Sequence, residues 1–297
     1  MPTIYLPVCD QNLWVIELYA KFADKYTPEL EVVVLGFSPP DFELPKNMKF
    51  VSMAPKQIGG ASKWTRYIHD YMKTLNEEYI MFSMEDMFPV CKIDWKTIGL
   101  MIEMMNEDRE IGRFDLTWDT FCNCGFKKYG VEKINGSDVN IIEIGKNQLY
   151  RVSTQPSIWR LDFFLKLMDH DWSPWDFEVI GSKLSQGMDY KVLSIADPYF
   201  KQYPTKWIPK GAVSRYHEGS INILGMPTED IREFVHRGIL TEDTLQWGQW
   251  EGPVPRFKDL GGYDFHPSRM PRHAASPTEW KEWWPTYVDN KPVRHKL

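Results

Sequence analysis

Apolar runs and amphipathic periods alternate along the first third of the chain. Thr3 to Val8 reads as a strand, and Gln11 to Tyr26 follows as a helix with Trp14, Leu18 and Phe22 at four-residue spacing. Glu31 to Phe37 is a β-branched run bounded by Gly36 and Pro39-Pro40, and Lys49 to Met53 is a third candidate strand. Ser62 stands where a helix N-cap belongs, and Trp64, Tyr67, Ile68, Tyr71, Met72 and Leu75 fall on one helical face. That helix leads straight into Tyr79 to Met84, an apolar run that reads as a buried strand. The order β-α-β-(β)-α-β predicts an α/β fold, Rossmann-like, with a mainly parallel sheet flanked by helices.

Farther on, Asp94 caps a predicted helix carrying Ile98, Met101, Ile102 and Met105 on one face, and Asn123 to Asp138 reads as loops or a hairpin. Val139 to Ile144 and Leu149 to Ser153 read as strands separated by Gly145-Lys146-Asn147, which makes the second half of the sheet mixed. Pro156 to Met168 is helical in pattern. Ser173-Pro174-Trp175-Asp176 fits a capping box that opens another helix, with proline at its first position. From about residue 198 the chain turns rich in Pro, Gly and Trp, with one short helix expected over Thr228 to Arg237. The expected organisation is a core domain over 1–220 and an irregular extension over 221–297 packed on it.

Composition narrows the classes. A net charge of −6 and a pI near 5.7 build no whole-molecule attraction to nucleic acid or anionic membrane. Cys9, Cys91, Cys122 and Cys124 include only one close pair, C-N-C rather than C-x-x-C, so a reduced, cytoplasmic protein is expected (host cytoplasm if viral). No secretory leader and no run of about 20 apolar residues is seen, so no membrane span is expected. The 13 Trp, 14 Tyr and 16 Phe suit carbohydrate or nucleobase faces, although core packing comes first for most of them.

The candidate chemistry starts at Glu85-Asp86, two carboxylates ending a hydrophobic strand. They are either the first polar residues of a solvated loop or groups in a crevice that hold a cation, because an unpaired buried carboxylate costs several kcal/mol, on the order of what a well-packed side chain contributes. In open α/β sheets such a crevice lies beyond the carboxyl ends of the strands.

Three further segments carry a resemblance. Gln155-Pro156-Ser157-Ile158-Trp159-Arg160, then Ser173-Pro174-Trp175-Asp176-Phe177-Glu178, with Trp64-Thr65-Arg66 ahead of the acidic strand end, together resemble a family of viral and bacterial glycosyltransferases of GT-A type over roughly residues 60 to 185. The resemblance implies a GT-A-like fold and a metal-dependent transfer of sugar from a nucleotide-sugar donor, UDP-sugar favoured, to an acceptor hydroxyl. Mn²⁺ or Mg²⁺ is implied as cofactor. Where a D-x-D arrangement would begin, this chain has Met84, so Asp86 is the expected direct ligand and Glu85 a ligand or water-mediated partner. His217 is a further candidate ligand, or a structural histidine.

Other roles follow from the chemistry. The acceptor hydroxyl must lose a proton, so Glu178 or Asp176 is the candidate base, with inversion the expected course. Pro7, Val8, Cys9 and Asp10, closing the first strand, are where such folds seat nucleobase and ribose; Asp10 alternatively caps the next helix. Trp64 and Arg66 are candidate donor-site residues, and Trp175, Trp159 and Arg160 candidate substrate contacts, against packing and ion pairing as the alternatives. The acceptor is a glycan or a hydroxymethylated DNA base. A sugar nucleotidyltransferase is the rival enzyme, opposed by the absence of glycine in Pro7-Val8-Cys9-Asp10. A non-catalytic carbohydrate- or nucleic-acid-binding protein is the alternative from another class, with the Trp280 to Lys296 run as its basic, aromatic tail.

Overall fold

In a computed structural model of the chain, the structure describes residues 2–116 apart from 88, 90 and 91, residues 126–196 apart from 135, 136 and 149, and two short strand pairs farther on. The expected helix over 228–237, the aromatic tail from 280 to 284, and Cys91, Cys122 and Cys124 lie outside the described residues. Among them the core is a mixed nine-stranded sheet.

Four strands, β1 (Ile4–Pro7), β2 (Val32–Gly36), β3 (Met48–Ser52) and β4 (Tyr79–Phe82), are mutually parallel in the order β3-β2-β1-β4. Beyond β4 comes β8 (Ser157–Arg160), running against it, then β5 (Ile111–Asp115), again against β8. β9 (Lys191–Ala196) pairs parallel with β5, and the hairpin β6 (Phe126–Ile134) and β7 (Ser137–Ile144) completes the sheet antiparallel. The helices are α1 (Leu13–Tyr26), α2 (Trp64–Met72), α3 (Trp95–Glu107), α4 (Leu161–Met168) and α5 (Pro174–Ser185).

The apolar runs of β1, β2 and β4 are continuous because successive side chains serve opposite faces, and both faces are covered. Ile4, Leu6, Val32, Val34 and Met81 pack with Val15, Ile16 and Tyr19 of α1 and with Met101 and Met105 of α3. Tyr5, Val33, Leu35, Ile80 and Phe82 pack on the other face with Ile68 and Met72 of α2, Phe163 and Phe164 of α4, and Phe177 of α5. Each fully buried side chain of this kind contributes about 1.5–3 kcal/mol. Gly112 of β5 is needed for the second face: a Cβ there would meet Phe163 Cδ1 at 2.4 Å.

Several local expectations change. α2 starts at Trp64, after a 3₁₀ turn over Gly60–Lys63, and Ser62 donates its hydroxyl to Gly59 O (2.7 Å) rather than capping. Gly59 and Gly60 both sit at positive φ, 84° and 60°, a conformation natural to glycine. Residues 157–160, expected in a helix, form β8, since pairing to strands on both sides overrides a helical period shared with α4. The described residues of 150–153 form a turn, not a strand. Asp94 does cap α3, accepting from Lys96 N and Thr97 N, and the capping box of α5 is complete. No helix among the described residues is long and apolar enough to cross a membrane.

Candidate functional site

From β1 the chain moves through α1 to β2 and then β3 on one side; after α2 it returns to β4 on the other side of β1. The exits of β1 and β4 therefore diverge, which opens a crevice at their carboxyl ends, the place where ligands bind in open α/β sheets. Two turns meet there. Cys9 and the 3₁₀ turn Asp10–Asn12 leave β1, and Ser83 to Asp86 leave β4. Asn12 Nδ2 bridges the crevice, donating to Glu85 Oε1 at 2.7 Å.

Glu85 is only 6% exposed, and its Oε2 is buried without a hydrogen-bond partner among the described residues. Burial, and secondarily the charge of Asp86, pushes its carboxyl up to about 7, against the Asn12 and backbone hydrogen bonds that hold it down. Asp86 beside it is half-buried. Burial also pushes the half-buried Cys9 thiol up, with the Glu85 carboxylate adding to the effect. An oxygen of this kind, desolvated and without a donor, next to a second carboxylate, fits a hard divalent cation. Among the described residues no three His, Cys, Asp or Glu side chains converge to hold one, so such an ion would take these two carboxylates and complete its shell with ligand oxygens or water. His217 falls in a two-residue strand whose side chains lie outside the description.

The rest of the first turn divides its duties. Pro7 and Val8 are buried, and Val8 packs within the core. Asp10 is exposed and turned to the β2 exit, where it accepts from Ser38 N (3.0 Å) and Ser38 Oγ (2.9 Å). It makes no cap bond to α1, whose N-cap Asn12 has no side-chain cap bond either.

β8 brings a second turn to the same edge. Because β8 is antiparallel, its first residue Ser157 pairs with Phe82 at the end of β4 and with Asp115 at the end of β5. Residues 153–156 therefore stand beside the β4 exit. Arg113, fully buried, donates from Nε and Nη2 to Ser157 Oγ (2.9 and 2.7 Å), from Nη2 to Ser153 Oγ (2.9 Å) and Asp115 Oδ1 (3.3 Å), and from Nη1 to Arg151 O (3.1 Å). Glu178 Oε1 accepts from Thr154 N and Thr154 Oγ1, both 2.8 Å. Glu178 is thereby placed at the carboxyl edge by α5, half-buried, with one oxygen holding the turn.

Other expected site residues have structural duties instead. Asp176 Oδ2 accepts from Ser173 N and Ser173 Oγ as part of the capping box, which holds its carboxyl below the usual range and makes it a cap rather than a base. Trp159 is 0% exposed, packed among Phe163, Phe164 and Phe177 with the Arg113 guanidinium 5.1 Å from its ring centroid, so it cannot stack on a substrate. Arg160 pairs with Tyr79 at the start of β4, the opposite edge of the sheet, and bonds Ile111 O, Met105 O and Glu78 there. Three residues of strand, about 10 Å, separate it from the carboxyl edge.

The Trp64-Thr65-Arg66 element does come to the right edge, through contacts among protein groups. Thr65, buried, accepts from Trp172 N (2.9 Å) and donates to His170 O (2.7 Å). Arg66 donates to Asp169 (2.7 Å) and Asp171 (3.1 Å), and Trp64 packs on Phe82 and Phe177. Trp175 remains 70% exposed at the start of α5. Sequence reasoning missed Asn12, Thr154, Arg113 and Asp115, because each acquires meaning only from a partner far along the chain.

Neither family profiles nor curated protein sequences give a match to this chain. Among solved structures it is similar to a mannosyltransferase from Pyrobaculum calidifontis in complex with GDP-Man and Mn²⁺, at 11% identity over 67% of this chain and 58% of that one, TM-score 0.38. It is likewise similar to residues 1–349 of TarS from S. aureus in complex with UDP, at 16% identity over 66% of this chain and 58% of that one, TM-score 0.38. A cytidylyltransferase from Leptospira borgpetersenii shares 13% identity over 69% of this chain and 78% of that one, TM-score 0.35. The chain thus spans under two thirds of the mannosyltransferase and of the TarS fragment.

Proposed function

We propose that the protein is a glycosyltransferase that uses a nucleotide-sugar donor bound across the β1 and β4 exits. The observation that carries this reading is Glu85: a nearly buried carboxylate with an unpartnered oxygen, beside Asp86, at the topological switch point of an open α/β sheet. The Cys9 to Asn12 turn takes the nucleoside side, and Asp86 with Glu85 takes the diphosphate side.

Mn²⁺ or Mg²⁺ held by Asp86 and Glu85 would offset the negative charge that develops on a departing diphosphate. Glu178 serves as the base for the acceptor hydroxyl: its position on α5 is fixed through Oε1 by Thr154, which leaves Oε2 to accept a proton. With Glu178 positioned as the base, direct displacement with inversion is the course this reading takes. Exposed Trp175, one helical turn before Glu178, offers a flat apolar face to an acceptor ring.

Titration of UDP and GDP into the protein with and without Mn²⁺ tests the reading. Asp86→Ala is expected to lower Mn²⁺-dependent affinity at least about 100-fold, and Glu178→Gln to keep nucleotide affinity while losing transfer. Full transfer activity in both variants would sink the assignment.

A further inference from the structure

The Gln155-Pro156-Ser157-Ile158-Trp159-Arg160 segment leaves one residue without a duty. Trp159 is core and Arg160 belongs to the opposite edge, whereas Gln155 stands at the carboxyl edge two residues before β8. Its backbone is fixed on both sides. Ser157 Oγ donates to Gln155 O (2.7 Å), and Gln155 N reaches Ser153 Oγ at a long 3.4 Å. Both serine hydroxyls are themselves gripped by the buried Arg113 guanidinium. Thr154 is anchored to Glu178, and Pro156 O accepts from Leu116 N at 3.0 Å. Five consecutive residues, 153 to 157, are thus held by β5, by α5 and by the segment following β5.

In the middle of this over-determined turn, Gln155 is 7% exposed, and the hydrogen bonds that hold it run through its backbone N and O rather than its carboxamide. Its side-chain nitrogen and oxygen are not among the fully buried polar atoms that lack a partner, so the carboxamide keeps some access to the surroundings of the turn. Burying a guanidinium to fix the backbone beneath it is costly. Such rigidity suits a group that must meet a ligand at a set position.

Position along the sheet edge indicates which part of the ligand it meets. Adjacent strands lie about 4.8 Å apart, so the β1 exit, the β4 exit and the β8 entrance form a row that extends roughly 10 Å. Reading the proposed donor along that row gives nucleoside at Cys9 to Asn12, diphosphate at Glu85 and Asp86, and the sugar at Gln155. A carboxamide offers two donor hydrogens and an acceptor oxygen, which matches a sugar hydroxyl that both gives and takes a hydrogen bond. We propose that Gln155 is a ligand-contacting residue whose side-chain amide hydrogen-bonds a hydroxyl of the sugar carried on a nucleoside diphosphate. This rests on the nucleotide-sugar reading above.

The test compares, by calorimetry on the full chain with Mn²⁺, the affinities of UDP and GDP with those of UDP-glucose, UDP-N-acetylglucosamine and GDP-mannose. In the unaltered protein, one diphosphate binds and one of its sugar conjugates binds more tightly. Gln155→Ala is expected to leave the diphosphate affinity within about twofold and to remove about tenfold from the conjugate. Gln155→Glu keeps the shape but loses both donor hydrogens, and is expected to move the conjugate in the same direction; it decides the matter if the alanine variant does not fold. Two results overturn the proposal while the nucleotide-sugar reading survives: a conjugate bound no more tightly than its diphosphate by the unaltered protein, or both variants weakening diphosphate and conjugate equally or neither at all. If neither diphosphate binds the unaltered protein, the nucleotide-sugar reading itself fails and this inference falls with it.

Discussion

The turn that leaves β4 and the turn that enters β8 lie side by side on one edge of the sheet, and they are held in opposite ways. Residues 153, 154, 156 and 157 are fixed by Arg113, Glu178 and Leu116, and Gln155 by the Ser157 hydroxyl. Just ahead of them Tyr150 stays at φ 60°, in the left-handed region that a bulky side chain rarely adopts. Glu85 in the neighbouring turn has the Asn12 bridge to one oxygen and no partner for the other among the described residues. A rigid turn next to an electrostatically unsatisfied one is a division of labour: the first supplies position and the second supplies affinity for whatever charge arrives.

Removing the guanidinium should have the largest effect. Arg113→Met leaves Asp115 buried beside an apolar chain and releases Ser153 and Ser157, which is expected to cost about 3–5 kcal/mol of stability in a urea titration. A variant as stable as the parent would show that the β8 turn is held by something else.

Glu85→Gln probes the other turn. The carboxyl of Glu85 is raised from 4.5 to about 7, so the folded state binds its proton more tightly than the unfolded chain does. That contribution is fully present below about pH 4.5 and is lost as pH rises through about 7. In metal-free buffer the parent is therefore expected to lose up to about 3 kcal/mol from this group between those limits, and the glutamine variant is not. Urea midpoints measured across pH 4.5 to 8 check it, and parallel curves for the two proteins would contradict the picture of an unsatisfied carboxylate.

The smallest change sharpens the comparison. Thr154→Val removes one of the two bonds to Glu178 Oε1 and keeps the amide bond, with an expected loss of about 1 kcal/mol. A loss several times larger, read as a shift of the thermal midpoint, would mean that the hydroxyl rather than the backbone amide carries the anchor.

How much of this was legible in the sequence depends on whether an element's meaning is local. β1, β2 and β4 are buried on both faces, so their unbroken apolar runs announce them. The cap at Asp94 and the capping box at Ser173 are local too, and they form as their residues dictate. The acidic pair reads as ending the strand; the strand stops earlier, at Phe82, and the pair lies in the turn that leaves it. β5 could not be read, because Gly112, Arg113 and Asp115 interrupt its apolar pattern; a charged residue at alternate positions suggests a wet face, whereas Arg113 is enclosed by Trp159, Ser157 and the 151–153 turn, all far along the chain. β8 hid inside a helical period for the same reason. Asp176 and Arg160 looked like candidates because acids and cations near an aromatic are conspicuous, while their partners, Ser173 in one case and Glu78 with two backbone carbonyls in the other, decide what they do.

One feature of the sheet carries further. Since β8 runs against both β4 and β5, the chain arrives at their carboxyl edge before entering that strand and departs from the far edge after it. Lengthening the connection ahead of Ser157 would reshape what the crevice admits, whereas an equal insertion after Arg160 would change only the distant rim.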